Sequence, residues 1–247
     1  MFWILTNPKN PPLKSARWLI LFVVITTAAY LIAGCAKHRN TSEGMEGKII
    51  YDLSYPYEKS SIMMDLYPKE MIVYFKGDKL HSEIKSSYDL LTTDFIIDNE
   101  QRTFAQLLKN VSKKSGLMLN ESQTKEWYSR YPEYAFEHLP ETEVICGYVC
   151  NKTIAKALNT DLPPVTIYHT RGLGLGCDNW WNPYNGVDGF LMAYDVEQYG
   201  MCMRMRVKEV VFEAVEDSHF AIPSEYNITD PSTFDTQLDA VVKEYMN

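Results

Sequence analysis

The sequence predicts a mainly β (α+β) fold: a strongly curved antiparallel sheet or half-barrel with two or three covering helices. Three observations carry this. Short runs of alternating apolar and polar residues recur along the chain with turn residues between them. Aromatic residues make up 13% of the chain, with seventeen tyrosines, a composition that suits strands rather than disorder. The last long strand-like run switches parity: Met201, Met203, Met205 and Val207 share one face, whereas beyond Glu209 the apolar set is Val210, Phe212 and Ala214. Such a switch predicts a β-bulge near Lys208–Glu209, and bulges bend strands.

The elements follow in order. Gly47 to Tyr55 reads as a first strand, with Ile49, Tyr51 and Leu53 on one face. Met71–Lys76 and Lys79–Lys85 form a hairpin about Gly77-Asp78, since a glycine-led two-residue turn matches strand twist. Phe95–Ile97 and Arg102–Leu108 form a second about Asp98–Gln101. Val144–Leu158, Val165–Thr170, Phe190–Val196 and Met201–Val215 add four strands. Helices are predicted at Ser60–Tyr67, at Ser122–Tyr128 and at the C-terminus. There Asp230 is an N-cap, Pro231 suits the first helical position, and Phe234, Leu238, Val241, Val242 and Tyr245 recur at helical spacing.

The N-terminus reads as an export signal, residues 1–34. Lys9, Lys14 and Arg17 give a positive head with no acidic residue before Cys35. The apolar stretch Trp18–Ala33 is sixteen residues, short of the roughly 20 that span a bilayer as a helix. It ends in Leu31-Ile32-Ala33-Gly34-Cys35, which resembles the lipobox of bacterial lipoproteins. That resemblance implies cleavage before Cys35, lipidation of its thiol and anchoring in a membrane. Residues 35–46 then form a polar tether and 47–247 one domain. Similarity to lipoprotein sorting rules implies that Ala36, after the cysteine, favours the outer membrane. The lack of acidic residues before Glu43 favours a periplasm-facing position over the cell surface.

Removing the 34-residue signal leaves 213 of the 247 residues, enough for one domain with a real core. Twenty-one basic residues then face 32 acidic ones, net −11. So acidic a chain is a poor partner for nucleic acid or for anionic lipid surfaces. Cys146, Cys150, Cys177 and Cys202 remain, an even number compatible with three pairings or with free thiols. If one strand carries both Cys146 and Cys150, about 13 Å separates them and they cannot pair.

Four segments in order resemble the GLPGLI family of exported domains. Tyr74–Lys79 is similar to its Y-K-G-D-K hairpin, and Ile145–Lys152 to its I-x-G-Y-x-C-x-K strand. Gly186–Met192 is similar to the G-L-P-G-L-I-L run, with Val187-Asp188 in place of Leu-Pro, and Phe220–Tyr226 to the F-x-I-P-x-x-Y ending. The resemblance covers about residues 47–226. It implies a lipoprotein-carrier (LolA-like) fold, in which helices cover the concave side of a curved sheet, and with it a hydrophobic pocket. The family supplies no catalytic residue.

No G-x-S-x-G, H-E-x-x-H, P-loop or dinucleotide glycine pattern occurs. A Cys177–His169 pair lacks a third member and an oxyanion donor, so the expectation is no catalysis, no metal and no cofactor. Candidate ligand-lining residues are Met201, Met203 and Met205, flexible thioethers on one strand face, and Trp180, Trp181 and Tyr184 from an aromatic polar loop. Two functions follow as expectations. One is a lipid-anchored envelope protein holding a hydrophobic or lipid ligand in a half-barrel cavity of about 300 Å³ or more. The other is an envelope interaction module with a packed core, whose Trp180–Tyr184 loop docks on a protein partner.

Overall fold

The computed structural model describes residues 44–57, 65–111, 113–198 and 201–246. The predicted signal, Cys35 and most of the tether lie outside the described residues, as do residues 60–64 of the predicted helix Ser60–Tyr67. Among the described residues twelve strands form one sheet: β1 Glu46–Ser54, β2 Glu70–Lys76, β3 Lys79–Lys85, β4 Leu91–Asp98, β5 Thr103–Asn110, β6 Lys113–Asn120, β7 Tyr134–Ile145, β8 Tyr148–Ala157, β9 Val165–Thr170, β10 Phe190–Gln198, β11 Met201–Phe212 and β12 Asn227–Ile228. Two α-helices accompany them among the described residues, α1 Glu121–Tyr128 and α2 Pro231–Met246.

The sheet order is β12-β6-β5-β4-β3-β2-β1-β11-β10-β9-β8-β7, antiparallel except where β12 meets β6. Curvature follows from the connectivity. β6 and β7 stand ten strand steps apart, about 48 Å if the sheet were flat. Residues 121–133 join them, and one eight-residue helix plus five extended residues reach only about 30 Å. The sheet must curl so that its ends approach. The bulge contributes: Ile50 pairs with Glu209 but Tyr51 pairs with Val207, so Lys208 is the extra residue. A second bulge lies where Leu191 pairs with His169 but Ala193 with Tyr168.

The predicted hairpins form at their turns. Gly77 takes φ +56°, as the β2–β3 turn requires. The predicted single strand Val144–Leu158 is instead a hairpin: Cys146 and Gly147 both take positive φ and join β7 to β8. β7 escapes the alternation rule because it is an edge strand with a bulge at Pro140–Glu141 and few buried side chains. β6 escapes it because its run, KKSGLMLN, is half polar.

The concave face holds the core. Ile49, Tyr51 and Leu53 of β1, Val73 and Phe75 of β2, and Met203, Met205 and Val207 of β11 are buried there. α1 begins at Asn120, whose side chain accepts the Gln123 N–H at 3.0 Å while Gln123 Oε1 accepts the Asn120 N–H at 3.0 Å. α2 begins after Asp230, which accepts the N–H groups of Ser232 and Thr233 at 3.1 and 3.0 Å and both their hydroxyls. Those bonds hold the Asp230 carboxyl well below the usual carboxylate range. The helices pack together over the concave side, with Trp127 against Phe234 at 6.1 Å and Arg130 paired with Asp235.

The chain reaches α2 by wrapping one edge. Residues 216–226 cross the convex face, where Ile222 and Tyr226 cover Ile96, Ala105 and Leu107. β12 then adds to β6. Phe234 is fully buried at the point where α2 turns inward. We predict that Phe234→Ala costs about 3–5 kcal/mol in urea unfolding, as a large buried aromatic leaves a cavity under both helices.

Candidate functional site

Loop Arg171–Gly189 is nineteen residues without helix or strand, long for a compact domain. It packs Leu173, Leu175, Cys177, Trp180, Tyr184 and Val187 inward and leaves Arg171, Asp178, Asn185 and Asp188 exposed. The Tyr51 hydroxyl donates to the Leu191 carbonyl at 2.6 Å, tying β1 to the strand that follows the loop. The Asn179 side chain donates to the carbonyls of Val187 and Gly189 at 2.6 and 3.0 Å. The Trp180 indole donates to Asn99 at 3.0 Å under the Arg102 guanidinium, and Arg102 pairs with Asp178 at 2.8 Å. The Tyr184 hydroxyl donates to the Asp195 carbonyl. Gly189 takes φ +102° with Thr170 O at 2.7 Å from any Cβ, so the loop re-enters β10 only through glycine.

Between this loop, the sheet and α1 lies an apolar cavity of about 80 Å³. Tyr51, Met71, Val73, Ile84 and Phe95 wall it from the first strands, Tyr194 and Met205 from β10 and β11, Trp181 and Tyr184 from the loop, and Tyr128 from α1. Ser82, buried on the same face, adds a hydroxyl, and the Trp181 indole N–H is buried with no acceptor among the described residues. A groove of about 370 Å³ lies beside it, sharing Tyr128, Tyr131, Pro183, Tyr184 and Val196 as walls and adding Arg130, Glu197, Asp235 and Asp239.

The structure divides the predicted residues. Met205, Trp181 and Tyr184 line the cavity. Met203 is buried opposite Val196 but does not line it. Trp180 is buried against Asn99 and stands outside the lining. The side chain of Met201 and all of Cys35 lie outside the described residues. The Trp180–Tyr184 stretch is not an exposed docking patch: Trp180 and Tyr184 are buried and Trp181 is half-buried. The apolar cavity itself, at about 80 Å³, is smaller than the expected 300 Å³, and the larger groove beside it is bordered by charged residues. Sequence reasoning missed the tyrosines Tyr51, Tyr128, Tyr131 and Tyr194 as lining. Strand alternation placed Tyr51 on the inner face, but nothing local said where the loop would stop.

Burial dominates the ionisable groups here. It pushes the Tyr51, Tyr184 and Tyr194 hydroxyls well above their ordinary range and the Cys177 thiol up to about 12. Cys146, Cys150, Cys177 and Cys202 are free thiols. Cys146 sits in a turn, so the strand-length argument against a Cys146–Cys150 pair does not apply. His169 sits in a directional chain. Its Nδ1 lies 2.7 Å from the Asp188 carbonyl, which can only accept, so Nδ1 carries the proton. Nε2 of the neutral ring then accepts from Thr153 Oγ1 at 2.9 Å, and that oxygen accepts from His138 Nδ1 at 2.9 Å. Both ring nitrogens of His169 are therefore engaged.

Among solved structures the chain is similar to PNGF-II, with 15% identity and a TM-score of 0.51 over 78% of this chain and 32% of that one. It thus spans about a third of that protein's length, and the likeness is one of fold. Weaker likenesses are to a beta-barrel-like protein of DUF1849 from Brucella abortus (9% identity, TM-score 0.33, 70% of this chain and 99% of that one) and to MucB, solved in complex with MucA(peri) (7%, 0.31, 76% and 58%). No protein-family model matches the chain, and no curated protein sequence matches it.

Burial, aided by the His138 and Arg171 charges, holds His169 below its ordinary value of 6.5. The unfolded chain therefore takes up a proton that the folded one resists, so this contribution to stability is full above that value and is lost as pH falls through the lowered one. The urea midpoint should fall between pH 7.5 and 5.5, and His169→Asn should flatten that dependence. An unchanged slope in the variant would assign it to other groups.

Proposed function

We propose that this chain is a non-catalytic, lipid-anchored binding protein of the cell envelope that takes the apolar end of a ligand into the cavity beneath loop 171–189. The observation that carries the reading is the cavity itself. Apolar walls from distant parts of the chain converge on a space that also holds the Ser82 hydroxyl and an unpartnered Trp181 indole N–H. An apolar pocket with a few convergent polar groups is the usual form of a small-ligand site. Its size limits the guest. At about 80 Å³ it has about half the volume of a ~150 Å³ cavity that admits benzene, so it takes a group of a few carbons rather than a whole acyl chain.

Two features support binding over catalysis. The Cys177 thiol stays protonated at neutral pH, and His169 has no free ring nitrogen to act as a base. The lipobox-like run ending at Cys35 supports anchoring, and the ordered motifs resembling GLPGLI domains support an exported role. On this reading the protein sits in the outer membrane facing the periplasm. Cys35→Ser should move it from the membrane to the soluble fraction; membrane retention would refute lipid anchoring.

Native mass spectrometry of residues 36–247 from a bacterial periplasm, with organic extraction, tests the binding reading. A stoichiometric apolar ligand is expected. Met205→Trp, which fills the cavity, should remove it while near-ultraviolet circular dichroism confirms the fold. A bare chain mass in repeated preparations, with no uptake of added short-chain alcohols, would refute it.

A further inference from the structure

The groove beside the cavity carries a charge pattern that its occupant must match. Glu197, Asp235 and Asp239 border it against one cation, Arg130. Arg130 is already engaged: it pairs with Asp235 and lies 3.8 Å above the Trp127 ring. Glu197 and Asp239 are exposed and have no ion-pair partner among the described residues. The groove's lining therefore holds two uncompensated negative charges together with Tyr128 and Tyr131. A carboxylate- or phosphate-headed amphiphile meets like charge there. A Lys or Arg side chain meets carboxylates, which attract it, in a groove lined by tyrosines.

We infer that this groove binds an extended peptide segment in which an apolar side chain is flanked by lysine or arginine. The inference rests on the cavity's being an apolar receptacle, and it adds the chemistry of the partner. Three observations select a peptide. The cavity admits a few carbons, the size of a leucine or methionine side chain, and not an acyl tail. The Trp181 N–H, buried in the cavity wall, lacks an acceptor among the described residues, and a backbone carbonyl beside the anchor residue supplies one. The groove of about 370 Å³ has room for the flanking residues next to Glu197 and Asp239. The anchor side chain sits among Tyr51, Met205 and Trp181 while the cation stays near the surface.

The test uses the full chain in phosphatidylcholine nanodiscs, titrated with a fluorescein-labelled heptapeptide whose central leucine is flanked by lysines. Binding is expected, and it should weaken about threefold to tenfold in the double variant Glu197→Gln, Asp239→Asn, whose exposed positions leave the fold intact. Raising salt from about 0.1 to 0.3 M should weaken the parent protein and barely affect the variant. Replacing the peptide leucine by alanine should weaken binding at least as much as the charge variant does. If hexanol binds and shifts the Trp181 fluorescence while the peptide does not bind, or if the charge variant holds the peptide as tightly as the parent, the peptide inference is overturned and the cavity reading stands. If neither peptide nor hexanol binds, both fall.

Discussion

Thirteen residues join two strands that stand ten places apart in one sheet, and the shape of the domain depends on that span. A flat sheet would put β6 and β7 about 48 Å apart, beyond the reach of α1 and its short extension. The bulges at Lys208 and Met192 supply part of the bend, and the helix then lies across the open side as the shortest route between the ends. A sheet curled this way has one face that water cannot easily reach. Its inward residues must bury against something, and neither eight-residue α1 nor sixteen-residue α2 is broad enough to cover twelve strands.

The remaining area is covered by the chain's own loop. Residues 171–189 pack one face against the sheet and are fastened by side chains with polar tips: Trp180 to Asn99, Asn179 to two carbonyls, Tyr184 to Asp195. An aromatic body with one hydrogen-bonding end is suited to this, since it fills apolar space and still satisfies buried backbone groups. The filling stops short at one place. Loop, helix and sheet meet imperfectly around Tyr51, Met205 and Trp181, and the space they leave is apolar and lies beside the groove. The proposed function rests on that residual space.

Most of the sheet was legible from the sequence because strand alternation and turn chemistry are local. Gly77-Asp78 marked its turn, the parity change after Val207 marked the bulge at Lys208, and Asp230-Pro231 marked the start of α2. What stayed hidden depends on contacts between distant residues. β7 is an edge strand with little buried on either face, so no alternation marks it. The Cys146-Gly147 turn needs positive φ at a cysteine, a conformation that composition does not advertise. The site was half legible. Of the aromatic loop residues and the methionine row, Trp181, Tyr184 and Met205 line the candidate cavity, whereas Trp180 and Met203 do not. The direction in which Trp180 turned was set by Asn99, eighty-one residues away.

Methionine methyl NMR tests the central claim most directly, because the chain carries probes both inside and outside the bowl. Met71 and Met205 line the cavity, whereas Met118 is exposed on the convex face. With 13C-methyl methionine in the protein and a short alcohol such as pentanol as titrant, the account predicts saturable shifts of the Met71 and Met205 resonances while Met118 stays still. Shifts confined to Met118, with Met71 and Met205 unmoved at saturating alcohol, would mean that the space beneath the loop admits no guest.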